Sequence, residues 1–226
     1  MIAESLKTLW SELDPFNAKL VPVSKTKPNQ DLLEAYKTGN RIFGENKVQE
    51  LVAKAEALPK DIEWHFIGHL QRNKVKYIAP FVSLIHAVDS LKLLKEINKQ
   101  AAKNNRVINC LLQVHIAQEE AKFGFNTSEL KNIINDPELK VLNHIKIIGL
   151  MGMATNTSNQ KQIQTEFKGL KLIFNELKQS NLPANVEMNE LSMGMSNDYK
   201  LALKEGSTIV RIGSSIFGLR SCALNV

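Results

Sequence analysis

A chain of 226 residues, 43% hydrophobic and 23% charged, fits one or two ordinary soluble globular domains with a sizeable core. Its formal net charge of +6 suits an anionic partner, but the basic residues are dispersed, with no like-charge block and no arginine-rich arm. Cys110 and Cys222 lack partners at metal or redox spacing, the N-terminal MIAESLKTLWSELD is too acidic and interrupted for a secretory signal, and no segment reaches bilayer-spanning length. A reduced, cytoplasmic protein without metal or membrane is expected.

Ile2, Leu6, Leu9 and Leu13 recur at helical spacing and open the chain with an amphipathic helix. Short apolar runs then follow one another as strands: LVPVS (20–24), RIF (41–43), WHFIG (64–68), SLIHAV (83–88), INCLLQVHI (108–116), IKIIGLMGM (145–153), VEMNELS (186–192) and STIVRIG (207–213). Helical periods lie between them. Pro28 and Asn29 open one helix. Leu91, Leu94, Ile97 and Ala101 define another behind Asp89 or Ser90 as cap, and Ile163, Phe167, Leu170, Phe174 and Leu177 mark a third over 160–179. Ser196 is placed to cap a late helix that Gly206 closes.

Strands that are apolar at nearly every position and alternate with helices indicate a parallel sheet buried on both faces. Eight such units in 226 residues allow about 28 residues each, near the lower end for a closed (β/α)8 barrel. An open doubly wound sheet is the alternative. The first strand leads into SKTKPN rather than a glycine-rich dinucleotide fingerprint, which favours the α/β TIM barrel. No linker or low-complexity tract divides the chain, so residues 1–226 read as a single domain.

Functional groups of such barrels gather at the C-terminal strand ends, and phosphate commonly binds after strands seven and eight. There stand LSMGMSNDY, with Ser192 and Met193, and VRIGSSIFG, with Gly213 and Ser214. Small residues let backbone N–H groups approach an anion and hydroxyls add donors; two ordinary tight turns are the plainer reading. Lys25 ends the first strand. It either extends its amine to water or, partly desolvated, has a lowered pKa and forms an imine with a carbonyl ligand. An aldehyde that also bears a phosphate, held at both ends, is pyridoxal 5′-phosphate (PLP).

Arg211 shares the inward face of the last strand with Gly213. It is either a core arginine paired with an acid or a donor to the pyridine nitrogen, which it would keep unprotonated. Asn46, His69 and Met151 stand at other strand ends and would line the ring; a helix cap, a loop histidine and a core methionine are their alternatives. HLQRNKVK (69–76) reads as a solvated basic face rather than a nucleic-acid surface, because no aromatic is interleaved for base stacking. No metal motif, Walker loop or nucleophile elbow occurs.

The blocks VSKTKP, FGENKVQE, WHFIGHLQRNK, LLQVHIAQEEAKFGF, GLMGMA, ELSMGMSNDY and VRIGSSIFG, in this order, make the chain resemble the pyridoxal-phosphate homeostasis proteins, also called proline synthetase co-transcribed homologs. The resemblance implies a barrel similar to the N-terminal domain of alanine racemase, with PLP on Lys25 as a Schiff base. It also implies that Arg211 faces the ring nitrogen, that Asn46 lies beside the ring, and that Ser192, Gly213, Ser214 and the backbone around Met193 hold the phosphate. It departs at Ala121 and Phe123, where relatives often carry serine. The chain ends thirteen residues after Gly213, so the β-domain of alanine racemase and its catalytic tyrosine are not expected, and a monomer is. Asn29 stands where the racemase has a tyrosine four residues past the lysine, and Tyr36, Tyr77 and Tyr199 fall in predicted helices. The function implied is storage of PLP or its delivery to PLP-dependent apoenzymes, with no robust catalysis. A monomeric racemase-like enzyme using Lys25 as its one base is the alternative, and a phosphosugar barrel enzyme or nucleic-acid binder ranks behind both.

Overall fold

The structure, a computed structural model, describes residues 1–118 and 123–218. Eight strands, β1 (Lys19–Pro22), β2 (Ile42–Glu45), β3 (Glu63–Phe66), β4 (Leu84–Val88), β5 (Ile108–His115), β6 (Ile145–Met153), β7 (Val186–Met195) and β8 (Ile209–Ile212), form one parallel sheet. From β2 to β8 each strand pairs with its sequence neighbour, and β8 returns to β1, with Leu20 opposite Val210 and Val21 opposite Arg211. The remaining seam between β1 and β2 narrows to a bridge between Val23 and Gly44, where the Ser24 N–H donates to the Gly44 carbonyl at 3.0 Å. The (β/α)8 barrel expected from the alternating apolar runs is the fold observed.

The helices are α1 (Ile2–Leu13), α2 (Asn29–Lys37), α3 (Val48–Ala57), α4 (Val75–Ile78), α5 (Leu91–Lys103), α6 (Thr127–Asn135), α7 (Pro137–Lys140), α8 (Gln160–Lys178), α9 (Tyr199–Lys204) and α10 (Ser214–Phe217). The extra helix α1 buries Ile2, Leu6, Leu9 and Leu13 and packs on α2, α10 and β1. Ser90 caps α5 by accepting from the Leu93 N–H at 3.3 Å, a contact that satisfies one of the free amides of the first turn. The cap expected at Ser196 and the cap alternative for Asn46 are not observed. The residue preceding α3 is Lys47 rather than Asn46, and α9 starts behind Asp198 rather than Ser196. Both displaced polar side chains face the barrel mouth instead.

Strand alternation sorts side chains into two layers. Val21, Leu84, Ala87, Leu111, Met151 and Ile209 fill the barrel itself. Phe43, Phe66, Val210 and Ile212 point outward into the layer beneath the helices. The period of two breaks in β7, where Ser192 pairs with Ile209 but Met195 pairs with Arg211. Gly194, at φ +93°, takes up the extra residue, and a Cβ there would fall 2.6 Å from that of Ala202. The bulge therefore needs glycine.

Candidate functional site

A cavity of about 780 Å³ opens at the C-terminal ends of the strands, and Lys25, Asn46, Ser196, Arg211, Gly213 and Ser214 all line it. Lys25 occupies a turn from Ser24 to Lys27, closed by the Lys27 N–H donating to the Ser24 carbonyl at 3.1 Å. Ser196, in the turn that follows β7, accepts from the Gly213 N–H at 3.3 Å. A Cβ at Gly213 would lie 3.1 Å from the Val23 carbonyl oxygen, so a side chain there would crowd β1 at the rim. Asn46 has a buried Oδ1 with no hydrogen-bond partner among the described residues.

Arg211 forms the floor and is only 4% exposed. It donates from Nη1 to Ser192 Oγ at 2.6 Å and from Nη2 to the Gly152 carbonyl at 3.1 Å. Among the described residues no carboxylate comes within 4.0 Å of it. Burial lowers its pKa to about 10, against the partial support of the Asp198 charge, so it remains a cation at neutral pH. A desolvated cation without a contact ion pair attracts an anion or a lone pair from the cavity side.

Below the floor runs a polar column inside the barrel. Ser192 Oγ lies 2.9 Å from His86 Nδ1, and His86 Nε2 lies 3.1 Å from His65 Nδ1. A guanidinium only donates, so Ser192 accepts from Arg211 and turns its own proton to His86 Nδ1. His86 is then protonated on Nε2 and donates to His65 Nδ1, which leaves the His65 proton on Nε2. Desolvation holds both rings neutral: His65 is lowered to about 3, with the Lys19 charge adding to the effect. His86 is held well below its ordinary range, by burial first and then by His65 and Arg211.

Lys25, Asn46, Arg211, Gly213 and Ser214 are thus brought together, whereas four other residues expected at the site lie elsewhere. Ser192 is fully buried beneath Arg211, the side chain of Met193, whose backbone was the expected contact, points outward under the helices, and Met151 packs within the barrel. These three sit before the Gly194 bulge or one strand layer down, so their side chains do not line the cavity. His69 stands outside it, with Nδ1 at 3.2 Å from Asp89 Oδ2 and its ring 5.7 Å from that of Phe123. Glu119, Glu120, Ala121, Lys122 and Cys222 lie outside the described residues.

Other contributors emerge only in three dimensions. Glu166 of α8 accepts from the Thr155 N–H and hydroxyl, both at 2.7 Å, and so fixes the loop after β6 that forms the far wall. Asp198 accepts from the Met195 N–H at 2.6 Å and shapes the turn carrying Ser196. The alternation of WHF and LIHA was the available signal for His65 and His86, since both fall on the inward phase of their strands.

The parallel barrel has the fold of alanine racemase N-terminal domains, and the profile of that family matches residues 2–221. A pyridoxal phosphate homeostasis protein of Aquifex aeolicus is 43% identical over 204 residues, covering 90% of this chain and 87% of the relative. The Homo sapiens protein of the same name is 39% identical over 220 residues, covering 92% and 79%. The structure of PipY from Synechococcus elongatus with PLP bound superposes with a TM-score of 0.85 at 36% identity, covering 96% of this chain and all of that one. The chain belongs to the pyridoxal phosphate homeostasis protein family.

Proposed function

We propose that this protein binds PLP through a Schiff base to Lys25 and serves PLP homeostasis by holding the cofactor and releasing it to apoenzymes in the cytoplasm, as a monomer. The observation that carries the reading is the convergence on one cavity of an amine, Lys25, and a buried cation without a contact ion pair, Arg211, with hydroxyl and amide donors at Ser196, Gly213 and Ser214. The names of the relatives and the PLP-bound state of PipY support it.

The residues present suit the group. Lys25 Nζ would form a C=N bond with the aldehyde carbon while the aldehyde oxygen leaves as water. Arg211, able only to donate, would face the ring nitrogen and keep it unprotonated, which weakens the ring as an electron sink and favours storage over turnover. Asn46 would satisfy its orphaned Oδ1 at the ring edge. Ser196 and Ser214 would take the phosphate with the Gly213 backbone, and Ser192 would act through Arg211. Holding rather than turnover is further supported by the tyrosines: Tyr36 donates to Asp61 and Tyr199 to Glu12, both away from the cavity.

The direct test is absorption of the PLP-loaded protein before and after borohydride, with mapping of the reduced peptide. Label on Lys25 is expected; label elsewhere overturns the reading. Ser196→Ala and Ser214→Ala should each weaken PLP retention roughly three- to tenfold without removing the imine band, the net worth of one hydrogen bond. Ser192→Ala should instead alter the pH dependence of that band, because it strips Arg211 of its support. Equilibrium titration and spectral pH titration separate these effects.

A further inference from the structure

The turn that presents Lys25 is strained and is held from one side. Thr26 has φ +64° at the third position of the Ser24–Lys27 turn, where turns of positive φ take glycine. The other non-glycine residues of positive φ among those described are Asn17 and Asn105, whose amide side chains tolerate it. A β-branched residue does not, and strain of this kind persists only where surrounding contacts over-determine it.

Those contacts come from α3. Glu50 Oε1 accepts from the Thr26 N–H at 2.6 Å. Lys54 Nζ donates to the Ser24 carbonyl, to Glu45 Oε1 and to Glu50 Oε1, each at 2.7 Å, which uses all three of its protons. Lys54 is 5% exposed and Glu45 fully buried, and Ser24 Oγ donates to Glu45 Oε1 at 2.6 Å. The residues on both sides of Lys25 are therefore tied to one charged cluster, while Lys25 itself turns to the cavity.

We propose that Glu50 and Lys54 are positioning residues for Lys25: they hold the turn left-handed at Thr26 and so aim the Lys25 amine into the cavity. This rests on the reading of Lys25 as the PLP-bearing lysine. Removing the clamp lets Thr26 relax to negative φ and turns the amine away, so C=N formation slows although the barrel stays folded. Glycine at position 26 takes positive φ without cost, so the same removal matters less in its presence.

The experiment is a double-mutant cycle on the full chain with Glu50→Ala, Glu50→Gln, Thr26→Gly and Glu50→Ala/Thr26→Gly. Glu50 is chosen because its loss leaves the Lys54–Glu45 pair intact. The readouts are the rate of imine absorption on adding PLP and amide exchange at Thr26 in cofactor-free protein. Glu50→Ala should slow imine formation roughly three- to tenfold and speed Thr26 exchange by a similar factor. Glu50→Gln, which keeps an acceptor oxygen, should stay within about twofold of wild type, and Thr26→Gly should abolish most of the Glu50→Ala effect on rate. Wild-type imine kinetics in Glu50→Ala, unchanged Thr26 exchange, or an equal slowing with and without Thr26→Gly would each overturn the clamp. Borohydride label off Lys25 in the wild-type chain would instead overturn the cofactor reading.

Discussion

Lys25→Ala is expected to eliminate the imine absorption band and borohydride fixation, and to reduce PLP retention by about a hundredfold or more. The size of the loss follows from what a tethered amine supplies. On the proposed reading the phosphate donors and Arg211 would bring the aldehyde beside Lys25, so the covalent step would occur within one site rather than between two free molecules. Without the amine, those donors still act, and weak binding governed by the phosphate should persist. Dialysis of the PLP-loaded variant against buffer, followed spectrally, measures both parts. Retention equal to wild type, or an undiminished imine band, would show that another amine carries the cofactor.

The second large effect is acid lability. His65 is 6% exposed and His86 fully buried, and both are kept neutral in the folded state while free histidine titrates near 6.5. His65 faces His86 and feels the charge of Lys19, itself paired with Glu190, and His86 faces Ser192, His65 and Arg211, so among the described residues no carboxylate contacts either ring. The folded pKa values are lowered, so the unfolded chain binds protons that the folded chain refuses. Stability from these rings is complete above about pH 6.5 and is lost as the pH falls toward the folded value, about 3 for His65. Stability therefore falls with pH below about 6.5, by roughly 1 kcal/mol per pH unit for each proton that the unfolded chain binds and the folded chain refuses. Thermal midpoints recorded from pH 7 to pH 4 should fall steeply below pH 6. His65→Gln keeps an acceptor for the His86 proton without titrating, and should roughly halve the slope. A midpoint unchanged between pH 7 and pH 5 would mean that the column is protonated in the folded protein.

Much of this molecule could be read along the chain. Every strand appears within a few residues of its apolar run, because a strand buried on both faces is apolar almost throughout and interrupts the helical period on either side. Lys25, Arg211, Gly213 and Ser214 were recognisable as strand-end residues, since a closed parallel barrel gathers all such ends at one mouth. Asn46 was legible as either a cap or a ring neighbour, and the fold places it at the cavity.

Three features depended on packing between distant segments. The apolar run ends the seventh strand at Ser192, beside the cup, but the strand continues to Met195 and Ser192 pairs with Ile209, a layer below Arg211, so Ser196 is the serine at the rim. The Arg211–Ser192–His86–His65 column joins four residues from β8, β7, β4 and β3, each inconspicuous alone and meaningful only when the barrel closes. The left-handed turn at Thr26 is held by α3, about one β/α unit further along, and a threonine in isolation would predict the opposite backbone hand. Periodicity records how one segment meets water and core, whereas register, closure and strain arise from distances between segments, which no local pattern encodes.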